Sequence, residues 1–233
     1  MNANPRMVEV RAKVMKQNDL LARALRDRFR ANGVYVISLV SSPGSGKTAL
    51  LEKLLARIGA SYRVAALVGD LATENDAARL QRAASQVKQI STGTICHLDA
   101  QMIERAIETW DLTRLDFLFI ENVGNLVCPS SYDLGEDLRL VLLSATEGED
   151  KPLKYPTIFN SADVAVITKM DLATAAEFDL AAARRNIEGV RPGMTMIEVS
   201  AKTGAGMDDA VSYLVAQMES SRASALQQVS AGE

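Results

Sequence analysis

Hydrophobic and polar positions change period along the chain. From Met7 to Arg30 apolar residues recur at helical spacing, at Val10, Val14, Leu21, Leu25 and Phe29 among charged neighbours, and Asn32-Gly33 supplies a stop. An amphipathic helix is predicted there, packed on the domain or docking a partner; periodicity does not separate the two. The pattern then shifts to short apolar runs at Val34–Val40, Arg63–Val68, Val87–Ile90, Leu115–Ile120, Asp137–Leu143, Val164–Ile167 and Ile197–Val199. The longest of these lack the alternation of a half-solvated strand, as expected of strands covered on both faces in a parallel sheet. Helices are predicted at Thr48–Ala60, Gln101–Trp110, near Thr174–Ile187 and at Met207–Ser221. The order of elements predicts an α/β fold: a mostly parallel central sheet with helices on both faces.

Two prolines in Lys151-Pro152-Leu153-Lys154-Tyr155-Pro156 argue for a surface loop and against a helix. The small, polar residues from Ala223 onward read as a frayed tail. The expected organisation is therefore an N-terminal helix over 1–33, one domain over 34–222 and a flexible tail over 223–233.

Composition narrows the function classes. A chain of 233 residues with 48% hydrophobic content can fill one sizeable core. No apolar run approaches the roughly 20 residues that span a bilayer, so no membrane is expected. The net charge is −3, with Lys and Arg dispersed among acids and no basic block, which argues against a nucleic-acid partner. The start lacks the apolar stretch of a secretory signal; the expected compartment is the reducing cytoplasm, with Cys96 and Cys128 as thiols.

The first strand leads into Ser41-Ser42-Pro43-Gly44-Ser45-Gly46-Lys47-Thr48-Ala49 and then a helix, the order required of a phosphate-binding loop. Small residues let backbone N–H groups converge on phosphate oxygens, Lys47 adds a point charge, and the Thr48 hydroxyl can ligate Mg²⁺. Ser41 stands where the usual first Gly would be and keeps the side chain small. After the second strand, Asp70 is a candidate for the Mg²⁺ shell and Asp76 for orienting an attacking water; a turn residue and a first-turn helix acid are the plainer alternatives. Glu121 ends a third buried strand and Gly124 follows, so the acid can reach the Mg²⁺ water shell while the glycine N–H faces a γ-phosphate. Asp is more usual than Glu at such a site.

Thr168-Lys169-Met170-Asp171 and Ser200-Ala201-Lys202 each follow a late strand. A carboxylate at Asp171 can accept from both guanine N1–H and N2–H₂, donors that adenine lacks. The Lys169 stem would lie along the base, and the Ala201 N–H would meet the guanine oxygen. Thr168 replaces the more usual Asn. The only His, His97, adjoins Cys96, and the other cysteine is Cys128, so every soft ligand of the chain sits in two loops after strands. Thiolates with imidazole suit Zn²⁺ or Ni²⁺, although spacing alone leaves a small buried hydrophobe and a surface imidazole as the plainer reading.

Taken together, Gly44-Ser-Gly-Lys-Thr48, Glu121-x-x-Gly124, Thr168-Lys-x-Asp171 and Ser200-Ala-Lys202 resemble a GTPase of the P-loop class. Cys96-His-Leu-Asp-Ala100, Glu121-Asn-Val-Gly-Asn-Leu-Val-Cys-Pro129 and Thr146-Glu-Gly-Glu-Asp-Lys-Pro-Leu-Lys-Tyr-Pro156 narrow the resemblance to the HypB family, the hydrogenase nickel-incorporation GTPases, from about Asn18 to Ser212. The resemblance implies GTP hydrolysis to GDP, Mg²⁺ dependence, GTP-dependent homodimerisation, and a Ni²⁺ or Zn²⁺ site at the dimer interface made by Cys96, His97 and Cys128. It also implies a nickel-handling maturation partner and a hydrogenase large-subunit precursor as recipient. Many members carry an N-terminal His-rich tract or cysteine cluster, which this sequence lacks, so only the switchable metal site is expected. The related urease-accessory GTPases place Cys-Pro-His where this chain has Cys-His-Leu. A GTP-controlled scaffold and a phosphoryl-transfer kinase are the rival readings; the kinase needs an acceptor pocket and base that no motif supplies. Slow hydrolysis is expected, because neither an arginine finger nor a glutamine beside Gly124 is evident.

Overall fold

The computed structural model describes residues 5–70, 80–84 and 86–231. Among the described residues seven strands are present: β1 (Tyr35–Ser41), β2 (Val64–Asp70), β3 (Gln86–Ser91), β4 (Phe117–Glu121), β5 (Leu138–Ser144), β6 (Val164–Thr168) and β7 (Thr195–Glu198). They form one sheet in the order β3-β2-β4-β1-β5-β6-β7, and every pairing is parallel. The helices, numbered over the described residues, are α1 (Pro5–Ala31), α2 (Lys47–Ile58), α3 (Ala100–Ala106), α4 (Lys151–Lys154), α5 (Pro156–Ser161), α6 (Leu180–Val190) and α7 (Met207–Ala231). The expected α/β fold is therefore present, with an all-parallel sheet.

Side chains leave each strand alternately up and down, so the sheet needs cover on both faces. Ile37, Leu39, Phe117 and Phe119 pack beneath Leu51, Leu54 and Leu55 of α2 and Leu214 of α7. On the opposite face, Val36, Leu67, Leu118 and Ile120 meet Ala22, Leu25 and Phe29 of α1 and Ile103 of α3. Val141, Leu143, Ala165 and Ile167 pack with Phe159 of α5 and Ile187 of α6 in a third cluster. Leu25 and Phe29 are almost fully buried, each contributing about 1.5–3 kcal/mol. That gain holds α1 on the body of the domain, the first of the two fates its periodicity allowed.

The order of strands creates the site. β1 lies between β4 and β5, so the chain leaves its carboxyl end toward one half of the sheet and later returns to the other. Such a reversal opens a crevice beyond the strand ends. Leu39 pairs with Glu121, and Val68 pairs with Glu121 across the other edge of β4. Asp70 and Ser41 thus emerge on either side of Glu121.

Several boundaries differ from expectation. Residues 151–161 form two short helices, α4 and α5, because Pro152 and Pro156 sit in first turns, where a missing N–H costs nothing. Helix α6 begins only after Asp179, whose carboxylate caps Ala182 N–H, and Glu177 (φ 52°) interrupts the segment before it. α3 stops at Ala106, short of Trp110, and α7 continues past Ser221 to Ala231. Gly69 and Asp70 belong to β2 itself, paired with Ile90 and Ser91. The Asp70 side chain and the whole of Asp76 lie outside the described residues.

Asp116 fixes the entry to β4. Its carboxylate accepts from Arg63 N and Nε at 2.9 Å each and from Arg222 Nη2 at 2.9 Å, tying β4 to the start of β2 and to α7. The Arg63 hydrogen bonds, with Arg222 assisting, hold this carboxyl well below the usual carboxylate range, against a smaller opposing effect of burial. A depressed folded pKa stabilises the fold at all pH values above the unfolded pKa of about 3.9, and that stabilisation is lost as pH falls below it. Asp116→Asn is therefore expected to lower the urea midpoint at pH 7, with the difference from the parent shrinking as pH is taken from 5 to 2. Urea melts across that range check the sign.

Candidate nucleotide and metal sites

The loop after β1 is organised by Ser41. Its hydroxyl donates to Ser42 O at 2.7 Å and accepts from Lys47 Nζ at 2.8 Å and from Ser45 Oγ. A residue that departs from the usual glycine thus supplies the hub of the loop. Gly44 (φ 75°) and Gly46 (φ 94°) take left-handed backbone that other residues adopt only with strain, and α2 starts directly after them. Lys47 is buried at the base of this cradle.

Two further strands deliver side chains to the same loop. Thr48 Oγ1 donates to Glu121 Oε1 at 2.8 Å, so the first turn of α2 meets the end of β4. Gly124 crosses so close to Pro43 that a Cβ there would stand 2.9 Å from Pro43 Cα. From β6, Thr168 Oγ1 donates to Ser45 O and Lys169 Nζ to Gly44 O, each at 2.7 Å. The hydroxyl of Thr168 thereby tethers the strand to the loop in place of the missing amide. Lys169 adopts a left-handed backbone (φ 56°), which swings its stem across Gly46.

Beside these lies a cavity of about 240 Å³ lined by Ser45, Gly46, Ala49, Leu50, Thr168, Lys169, Asp171, Leu172, Val199, Ala201 and Lys202. Its walls are mainly apolar, as a flat heterocycle requires, and Asp171 is held at one side by the fully buried Ser200, whose hydroxyl donates to Asp171 Oδ1 at 2.6 Å. The expected base-contacting residues thus converge, although their two segments are far apart in sequence.

On the other side of β4, Cys96, His97 and Cys128 come together. Among the described residues these three form a group whose ligand atoms all lie within 4.8 Å of one another, each half-buried. Neither cysteine is in a disulfide, and their sulfurs lie 2.7 Å apart. Two thiolates on one tetrahedral ion stand roughly 3.8 Å apart, so an ion entering here parts them by about 1 Å. Cys128 opens a 3-10 turn, Cys128–Ser131, and Asn125 Oδ1 accepts from Val127 N at 2.7 Å and Cys128 N at 3.4 Å to set its start. The His97 ring lies against Tyr132, with centroids 3.9 Å apart. Burial lowers the His97 pKa, and the opposing charge of Asp99 is the smaller influence, a shift that favours the neutral imidazole a metal ligand must be.

Asn122, which lies in the Glu121–Pro129 run but was given no role by it, joins the two sites. Fully buried next to Glu121, its side-chain oxygen accepts from Leu98 N at 3.0 Å and Val123 N at 2.9 Å, while its own N–H donates to Leu39 O at 3.0 Å. Leu98 immediately follows His97 and fills the space that a Cβ on Gly69 would take. The metal-ligand loop is therefore seated on both β2 and β4 at the positions just before Asp70 and just after Glu121.

Comparison with known proteins agrees with this geometry. The family described as CobW/HypB/UreG, nucleotide-binding domain, matches residues 35–198. The hydrogenase maturation factor HypB of Azotobacter chroococcum is 44% identical over 212 residues, covering 91% of this chain and 70% of the relative. A crystal structure of HypB from Helicobacter pylori in complex with nickel superposes with a TM-score of 0.83 at 39% identity, covering 88% of this chain and 96% of that one. HypB from Archaeoglobus fulgidus gives a TM-score of 0.81 at 37% identity, covering 87% and 99%. With this coverage, and with a P-loop and a Cys-His-Cys cluster flanking one strand, the chain belongs to the CobW/HypB/UreG family and, within it, to the HypB hydrogenase maturation factors.

Proposed function

We propose that this protein is a GTP-hydrolysing metallochaperone that carries Ni²⁺ to a [NiFe] hydrogenase large-subunit precursor in the cytoplasm, with GTP binding, dimerisation and hydrolysis switching the metal site. The observation that carries this reading is the continuity of one segment. Glu121, bonded to Thr48, and Cys128, beside Cys96 and His97, are separated by a single short loop whose Asn122 is bonded into the metal-ligand loop.

On the nucleotide side, Lys47 and the N–H groups of Gly44, Ser45, Gly46 and Thr48 neutralise phosphate charge, and Gly124 offers its N–H to the γ-phosphate. Asp171 selects guanine, Lys169 packs along the base, Ala201 donates to the guanine oxygen, and Ser200 orients Asp171. Lys202 and Ala49 complete the pocket wall. The Thr48 hydroxyl and the carboxylates of Glu121 and Asp70 are hard oxygen donors that fit Mg²⁺, which when bound draws charge from the β- and γ-phosphates. Asp76 is proposed to orient the attacking water.

On the metal side, two thiolates and a neutral imidazole hold Ni²⁺ as cargo. Zn²⁺ suits the same donors and competes. Ile95 and Val127, next to the two cysteines in sequence, are 41% and 63% exposed, an apolar rim that supports burial of this site between two copies of the chain in the GTP-bound state. A nickel-handling partner loads the site, and hydrolysis relaxes the loops for release. Because the two ligands share one segment, each must change the affinity of the other by the same factor.

Three substitutions test this reading. Cys128→Ala is expected to weaken Ni²⁺ binding at least tenfold in titration calorimetry and to abolish its dependence on a GTP analogue; parent-like affinity with unchanged nucleotide dependence contradicts the reading. Asn122→Ala keeps both ligand sets but releases Leu98 N beside His97, so Ni²⁺ affinity is expected to fall in every nucleotide state, while the coupling between the two affinities, about 1–3 kcal/mol in typical allosteric proteins, shrinks toward zero. Gly124→Ala forces the loop off Pro43 and is expected to lower GTP-analogue affinity by about tenfold, measured by fluorescent-nucleotide titration, with Ni²⁺ affinity in the nucleotide-free protein preserved.

A further inference from the structure

We propose that Asn18 of α1 is a positioning residue for the metal site, a brace between the two metal-bearing loops that makes metal affinity depend on how the N-terminal helix is seated. The inference rests on the reading of Cys96, His97 and Cys128 as metal ligands.

Asn18 stands on the same helical stripe as Ala22, Leu25 and Phe29 and is only 7% exposed. Its two amide atoms go to two different loops. Oδ1 accepts from Ala100 N at 2.9 Å, at the end of the Cys96-His97-Leu98-Asp99-Ala100 run, and Nδ2 donates to Asp133 O at 2.9 Å, in the turn that follows Cys128. Between these anchor points lies the His97–Tyr132 stack, with Tyr132 directly before Asp133 and its carbonyl held by Arg139 Nη2 at 2.7 Å. Arg26, on the same helix, adds a second tie to the turn, from Nη2 to Asp133 Oδ1 at 2.6 Å and from Nε to Glu136 O at 3.1 Å. The helix therefore reaches the Cys128 side through Asn18 and Arg26 together, but its hydrogen bond to the Cys96-His97 side comes from the Asn18 oxygen, so this one amide spans both.

Helix docking alone does not call for an amide here. A leucine on this stripe would bury more apolar surface and would leave no polar group to satisfy. What Asn supplies, and no apolar residue can, is a donor and an acceptor on one short side chain. Asp keeps the acceptor for Ala100 N–H but loses the donor to Asp133. Groups that orient metal ligands from behind commonly govern affinity by about 10- to 100-fold. Displacing α1 would release both anchors at once and loosen the Cys96–His97–Cys128 geometry.

The test compares full-length parent, Asn18→Ala, Asn18→Leu, Asn18→Asp and Cys128→Ala, with Ni²⁺ alone as the probe. Ni²⁺ affinity is read by competition with a chromophoric chelator, the site's geometry by its thiolate-to-nickel charge-transfer absorption, and folding by circular dichroism and thermal melting. The expected result is a loss of about 10- to 100-fold in Ni²⁺ affinity with a changed charge-transfer band for Asn18→Ala and Asn18→Leu. Asn18→Asp should fall between them and the parent, and GTP-analogue affinity should be parent-like in all three. Asn18→Leu retains apolar docking of the helix and keeps the test valid if Asn18→Ala melts early. Parent-like Ni²⁺ affinity and spectrum in the folded Asn18 variants, while Cys128→Ala is impaired, overturns the brace alone. A Cys128→Ala protein that binds Ni²⁺ as the parent does overturns the metal-site reading and the brace with it.

Discussion

The constraint on which the rest depends is the double pairing of β4. Its last residue, Glu121, is in register with Leu39 of β1 on one edge and with Val68 of β2 on the other, and both faces of the strand are packed by Phe117, Phe119, Leu118 and Ile120. A strand buried on all sides has no room to shift register, because a slip of one residue would turn its apolar set to the wrong faces. The carboxyl ends of three strands are therefore locked level with one another. Part of both candidate sites is hung from that line: the phosphate loop from β1, Asp70 from β2, and Glu121, Asn122 and Cys128 from β4, while β3, β6 and β7 deliver the rest.

Rigidity behind the line makes motion ahead of it meaningful. Beyond Glu121 the chain has no strand partner and is held by a few specific contacts: Asn122 to Leu98, Gly124 against Pro43, and Asn125 at the turn of Cys128. Between these contacts Val123 and Leu126 are buried, Leu126 in the cluster that holds Phe159 and Ile167. In the proposed function, a γ-phosphate at Gly124 and an ion at Cys96 and Cys128 would both act on this same short piece of backbone, and their coupling requires that it take two arrangements on the fixed strand.

Much of this was legible in the sequence because it rests on local rules. The apolar strands, the glycines of the phosphate loop and the residues that follow β6 and β7 are set by backbone sterics and by periodicity. The remainder depended on three-dimensional partners. Thr168 stands where Asn is more usual, and nothing in the sequence shows that its hydroxyl reaches Ser45 O. Pro152 and Pro156 looked like helix breakers, but the harm a proline does depends on its place in the helix, and both occupy first turns. In the polar turn over residues 131–136, Glu136 is buried, accepting from Ser38 Oγ at 3.1 Å and Arg139 Nε at 2.8 Å, partners that lie far away or later in the chain. Asn122 sits in a quoted run that assigns it no role, and Asn18 carries no motif; its one hint was a polar residue on an otherwise apolar helical stripe.

The central claim is that nucleotide and metal act on one segment. It is tested most directly by titrating Ni²⁺ into nucleotide-free, GDP-bound and GTP-analogue-bound protein while molecular mass is followed by light scattering. The account predicts that Ni²⁺ affinity and dimer fraction both change between the GDP and GTP-analogue states, and that Ni²⁺ in turn shifts analogue affinity by the same factor. Identical Ni²⁺ affinity and identical mass in all three states would contradict it.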